Sequence, residues 1–181
     1  LFGLNTEQLE QDFIQNNDID LAVVNNKIDI ITNTISNTLS NNDLDTDNDE
    51  VISELVSIIL ENEQNIEDLD IVSSSTNIDI INNIIEKKKN DGITSNLPDS
   101  VITNVVNYIE EINNLVTQIS LNNNNFEESF TEITQINAIS NQIDTEIFSN
   151  DDLNLNLLIS DVKNLADSVE IFNIFLPEPE P

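Results

Sequence analysis

The sequence predicts an all-α fold: an antiparallel helical bundle or stacked helical hairpins, with about six to seven helices. Apolar residues recur at alternating steps of three and four, which lines them along one side of a helix. The connections are short and polar, rich in Asn, Asp and Ser. Only 2 Gly occur in 181 residues, too few for the repeated tight turns of a β-solenoid or a sandwich.

Taken in order, the pattern places helices near 6–15, 18–40, 50–64, 77–89, 99–121, 126–148 and 151–175. The 18–40 segment carries Leu21, Val24, Ile28, Ile31, Ile35 and Leu39. The 50–64 segment carries Ile52, Leu55 and Ile59, and the 77–89 segment Ile78, Ile81 and Ile85. Lys87, Lys88 and Lys89 close the latter where cations suit the helix dipole, and Asn90-Asp91-Gly92 stops it. After Pro98, with Asp99 as N-cap, comes the clearest stripe: Ile102, Val105, Ile109, Ile112, Val116, Ile119. Phe126, Phe130, Ile133, Ile136, Ile139, Ile143 and Ile147 continue it, then Leu155, Leu158, Val162, Leu165, Val169, Phe172 and Leu176. Short β-like alternations such as Ile28/Ile30 and Leu153/Leu155/Leu157 dissolve into the helical pattern within a turn. Asn, Ile, Val and Thr are mediocre helix formers, so these helices must gain their stability from tertiary packing.

The 90–98 stretch holds both a Gly and a Pro and is the best boundary between a 1–92 half and a 93–176 half, unless the two form one continuous domain. The Pro/Glu-rich end, 177–181, reads as an extended linker or tail. A chain that opens on Leu1 reads as processed or as an excerpt of a longer one.

The composition narrows the chemistry. There is no His, Cys, Met or Trp, and the 5 basic residues are all Lys, against 35 acidic ones, for a net charge of −30. Thiolate and imidazole metal sites and cysteine or histidine catalysis are excluded, leaving oxygen ligands for any cation. Without Arg no phosphate is gripped bidentately, and a polyanion does not bind nucleic acid. No apolar run approaches the ~20 residues of a membrane-spanning helix. None of the 32 Asn residues lies in an N-x-[ST] sequon, where random placement gives on the order of five. Avoided glycosylation, with the acidic surplus, points to an extracellular or cell-surface location.

The sharpest local feature is the acidic loop of Asp43, Asp45, Asp47 and Asp49, followed by Glu54. Counting Asp43 as position one puts Asp45 at three, Asp47 at five and Glu54 at twelve, the pattern by which carboxylates gather on Ca²⁺. Glu50, at the normally apolar eighth position, departs from it. The competing reading is an acidic surface loop whose last Asp caps the next helix. Other carboxylate pairs, Asp68/Asp70, Glu110/Glu111, Glu127/Glu128 and Asp151/Asp152, read as solvated faces and helix starts. Ser73-Ser74-Ser75-Thr76 reads as linker and N-cap.

The sequence therefore favours a non-enzymatic structural or interaction module that pairs with itself or with other protein chains. A calcium-binding module using the 43–54 loop is the alternative, and an enzyme using carboxylates alone stands behind both. With −30 on the chain, unscreened repulsion opposes the compact state. The melting temperature is expected to rise as NaCl is added through the range where the Debye length falls below ~10 Å, followed by circular dichroism. A flat profile would contradict this.

Overall fold

A computed structural model describes residues 18–61, 72–94, 97–122, 125–150 and 152–168. Among these there are six α-helices and no strand: α1 (Ile19–Ser40), α2 (Asn48–Glu61), α3 (Ser74–Asn90), α4 (Asp99–Asn122), α5 (Phe126–Ser140) and α6 (Leu155–Ser168). A 3-10 turn, Thr145–Ser149, separates α5 from α6. The expected 6–15 helix and the 177–181 tail lie outside the described residues.

Helices α1 to α4 pack in succession, and α4 closes the ring on α1. Helix α5 lies against both α1 and α4, and α6 against α4 and α5. Helix α4 thus meets four other helices and the 3-10 turn, which explains why its burial exceeds one stripe: Val101, Val106 and Tyr108 are buried beside Val105, Ile109, Ile112, Val116 and Ile119. One buried cluster runs from Val23 to Ala166 and draws on all six helices. The 91–98 connection joins α3 and α4, which pack on each other, so the core continues across it.

Helix starts follow side-chain chemistry. Asp18 Oδ1 accepts from the Leu21 N–H at 3.1 Å, Ser73 Oγ from Thr76 at 3.3 Å, and Asn125 Oδ1 from Glu127 at 3.1 Å. Asp99, expected as an N-cap, stands inside the first turn of α4, and the Pro98 carbonyl accepts from Val101 and Ile102. Two helix ends share one device. After α3 the Ile93 N–H returns to the Lys88 carbonyl at 2.9 Å and Gly92 to Lys89 at 3.1 Å, with Gly92 at φ 85°. After α1 the Leu44 N–H returns to Leu39 at 3.0 Å and Asp43 to Ser40 at 3.3 Å, with Asp43 at φ 63°. Both are Schellman ends, and after α1 an aspartate takes the left-handed place that glycine usually fills.

The expected 126–148 helix is broken. Helix α5 stops at Ser140, and the chain resumes as the 3-10 turn after Asp144, whose side chain accepts from the Glu146 N–H at 3.0 Å. Asn141 is the C-cap of α5 and its side chain donates to Asn137 Oδ1 at 3.1 Å, while Asn41, at the end of α1, donates to the Thr145 hydroxyl at 2.6 Å. These short polar side chains compete with the helical ladder, and the turn swings Phe148 inward against Tyr108, ring centroids 5.2 Å apart. The last stripe is also offset: Leu165 is exposed, while Val162 and Ala166 are buried.

Polar cross-links tie the layers. Asn137 donates to Asn26 at 2.9 Å, Asn104 to the Phe148 carbonyl at 2.9 Å, and Tyr108 and Ser140 hydroxyls lie 2.6 Å apart in the core. Burial pushes the Tyr108 phenol above its ordinary range, against a smaller opposing effect of the Ser140 hydrogen bond. The phenol therefore stays a neutral structural group.

The helix ends give a direct test. A Cβ on Gly92 meets nothing within 4 Å, so Gly92→Ala is strained through the backbone alone. It is expected to cost about 1 kcal/mol in urea unfolding. Asp43→Gly is expected to raise stability by up to about 1 kcal/mol, with Asp43→Asn separating the charge from the backbone contribution.

Candidate functional site

The acidic loop and α2 are positioned by the end of α1 on one side and by the last turn of α3 on the other. Each carboxylate of the expected cation loop takes a distinct place. Asp43 forms the left-handed end of α1. Asp45 is exposed, and its backbone carbonyl accepts from Lys88 Nζ. Asp47 Oδ1 accepts from the Glu50 N–H at 2.9 Å and caps α2, a role the sequence had suggested for Asp49. Asp49 lies exposed in the first turn of α2. Glu54 is buried, accepts from Asn83 Nδ2 at 2.7 Å and pairs with Lys87. Among the described residues no group of three or more carboxylates stands where it could hold a metal ion. The alternate-position spacing thus builds a helix stop, a helix cap and an ion pair, and Glu54 faces α3 rather than the loop.

The lysines of α3 make this a clamp. Glu50 and Glu54 are four residues apart on one side of α2, and α3 runs antiparallel beside it. Lys88 Nζ stands 2.8 Å from Glu50 Oε2, and Lys87 reaches Glu54. The Glu54 side chain is only 4% exposed, whereas that of Lys87 is 58% exposed. A carboxylate taken out of water needs a cation and a hydrogen-bond donor, and Lys87 and Asn83 supply them. Two of the 5 lysines in the chain are placed on this one side of α2.

The outward side of α2 is unlike that of the other helices. The core takes Val51, Leu55 and Ile58. Ile52, Val56 and Leu60 are 40%, 46% and 60% exposed, and their spacing of four puts them in one line. The sequence had assigned Ile52 and Ile59 to the core together with Leu55; Ile52 points to water and Ile59 is half-buried. Ser53 and Ser57 flank the line, and Asp49 and Glu61 stand at its two ends. By contrast α4 shows Thr103, Asn107, Glu111, Asn114 and Gln118 to solvent. The exposed Leu157 and Leu165 of α6 are separated by exposed Asp161, so they form no continuous line. A helix with apolar residues on two sides is ordinarily covered on both, yet among the described helices α2 packs mainly on α1 and α3.

Among the described residues the remaining carboxylates form no second cluster. Glu110 accepts from the Ser74 hydroxyl, Glu111 is exposed, and Glu127 and Glu128 are exposed in the first turn of α5. Asp68, Asp70 and Asp151 lie outside the described residues. Among the described residues, the buried amide of Asn113 in α4 has no hydrogen-bond partner at either atom. Such a group costs about 1–3 kcal/mol, and no pattern in the sequence distinguishes this Asn from its exposed neighbours.

A double-mutant cycle tests the clamp. Glu54→Gln and Lys87→Met are each expected to lose roughly 1–2 kcal/mol, below the cost of breaking a fully buried pair because Lys87 is solvated. The double variant is expected to lose less than the sum by roughly 0.5–1 kcal/mol, read from urea midpoints. Strict additivity would mean that the pair contributes nothing.

No family model, no curated protein and no solved structure matches the chain.

Proposed function

We propose that this chain is a non-catalytic interaction module of an extracellular or cell-surface assembly, and that α2 is its contact helix. The outward line of Ile52, Val56 and Leu60 carries the reading. An apolar face is stable in water only at a cost, and a contact that covers it removes that cost. The rest of the chain supports the same role. Its acidic surface keeps it soluble and apart from nucleic acid, and the absence of sequons leaves its faces free of N-linked glycans. The described helices form a tied scaffold that holds α2 at the edge of the bundle.

The chain has no native cysteine, so a single introduced thiol reports one position cleanly. In the isolated chain, Val56→Cys is expected to react with a maleimide as fast as Asn107→Cys, on the polar outward side of α4. In material recovered intact from the native source, labelling at position 56 is expected to be strongly slowed, and at 107 to be unchanged. Equal rates at position 56 in both settings would overturn the proposal.

A further inference from the structure

We infer that the Asp91–Gly92 bond is a self-modification site: it rearranges to a β-linked isoaspartate when the end of α3 opens, and the rearranged chain no longer closes that end. This goes beyond the interaction-module reading and does not depend on it.

Sequence and placement together carry the inference. The chain has 2 Gly, Gly3 after Phe2 and Gly92 after Asp91, so this is its one Asp–Gly or Asn–Gly bond. A glycine nitrogen has no adjoining side chain to hinder its approach to the carboxyl of the residue before it. Asp91 and Gly92 are both exposed, and a Cβ on Gly92 meets nothing within 4 Å. The left-handed end of α3, with φ 85° at Gly92, itself calls for glycine. The residue that ends the helix is thus also the one that leaves the aspartate open to attack. The end of α1 is the internal contrast. There the left-handed Asp43 is followed by Leu44, which is 1% exposed. The leucine side chain crowds its own nitrogen, and its place in the core holds that bond still.

The chemistry needs only water and a proton. The Gly92 nitrogen bonds to Asp91 Cγ. One carboxyl oxygen, the amide hydrogen and a proton from solvent leave as water, and a five-membered succinimide remains. Water then adds to either imide carbonyl, and a proton returns to solvent. Breaking the bond from the Gly92 nitrogen to Cγ restores aspartate. Breaking the bond to the Asp91 main-chain carbonyl carbon leaves the chain running through Cβ and Cγ, which is isoaspartate. The closed helix end opposes the first step. Asp91 stands at ψ 4°, which turns the Gly92 nitrogen away from Cγ, and the Gly92 N–H donates to the Lys89 carbonyl at 3.1 Å. Ring closure rotates the Asp91 Cα–C bond and breaks this hydrogen bond, so the reaction runs through local opening of the end. Isoaspartate lengthens the main chain by one carbon. The Gly92 and Ile93 N–H groups then no longer return together to the Lys89 and Lys88 carbonyls. That is the turn from which Lys87 and Lys88 hold Glu54 and Glu50.

Incubation of the full chain for several weeks at neutral pH and physiological temperature, beside a sample held in concentrated urea, tests this. Cleavage after Glu86 and Glu110 releases the peptide 87–110. In it isoaspartate changes chromatographic retention and electron-transfer fragments but not mass, whereas deamidation of an Asn adds mass. Isoaspartate is expected at position 91 of the folded chain, ahead of Asp43, and to form at least about tenfold faster in urea, where no helix end restrains the bond. Asp91→Glu, which would have to close a six-membered ring, is expected to leave the position unchanged. Hydrogen exchange of half-converted folded chain is expected to show two populations over 88–93, the faster one equal in fraction to the isoaspartate. Four results would each overturn the inference: no isoaspartate at 91 in the folded chain, equal rates with and without urea, faster conversion at Asp43, or a single exchanging population after conversion.

Discussion

The burial of branched aliphatic side chains around α4 is the interaction on which the other elements depend. Asn, Thr, Ile and Val make poor isolated helices, since they lose side-chain freedom or compete for the backbone. Inside a core the same stiffness is an advantage. An Ile on a helix has one strongly favoured rotamer, so little entropy remains to be lost when it packs. Ile30, Ile31 and Ile35 of α1, Ile80, Ile81 and Ile84 of α3, and Ile109 and Ile112 of α4 are all essentially sealed from water. The Asn-rich background then serves as cross-linking between layers, as at Asn26–Asn137 and Asn104–Phe148. A composition weak for single helices is thereby consistent with a stable assembly of six.

How much of this was legible depended on how many sides of each helix are apolar. The limits of α1 and α4 follow the hydrophobic period to within a residue or so, because each begins at a clear polar-to-apolar change. Helix α5 was overextended, since the period continues through Ile143 and Ile147 although Asn141 caps the helix and Asp144 starts the 3-10 turn. In α6 the period favoured Leu165 over Ala166, because size outweighed position; the tight approach of the helices admits the smaller residue. In α2 the period could not choose a side. Val51, Ile52, Leu55, Val56, Ile58, Ile59 and Leu60 leave almost no polar face, so a stripe read from spacing alone was off by one residue.

The acidic loop shows a different limit. A run of carboxylates at alternate positions suits a cation loop, and it equally suits a left-handed helix end followed by an N-cap. The local sequence is the same for both. What separates them is the place of Glu54, fixed by Lys87 and Asn83 from a helix about thirty residues further on. Pairings across that distance carry no periodicity and leave no mark on the loop. The lysine triplet was legible as a favourable helix end, but its second role, as counter-charge to another helix, required the packing.

The two roles of the lysines are linked. Glu50 and Glu54 could sit on α2 without counter-ions only by turning toward water, which would rotate charge into the region of Ile52 and Val56 and make α2 an ordinary solvated helix. By holding both carboxylates against α3, Lys87 and Lys88 fix the rotation of α2 about its axis. That rotation puts Val51, Leu55 and Ile58 in the core and leaves Ile52, Val56 and Leu60 outside. The same ion pairs therefore select which apolar side is buried and which is presented. The net charge of −30 opposes unselective aggregation through repulsion between chains. In a chain with so few cations, placing two of them here couples the stability of the α2–α3 hairpin to the specificity of the surface it exposes.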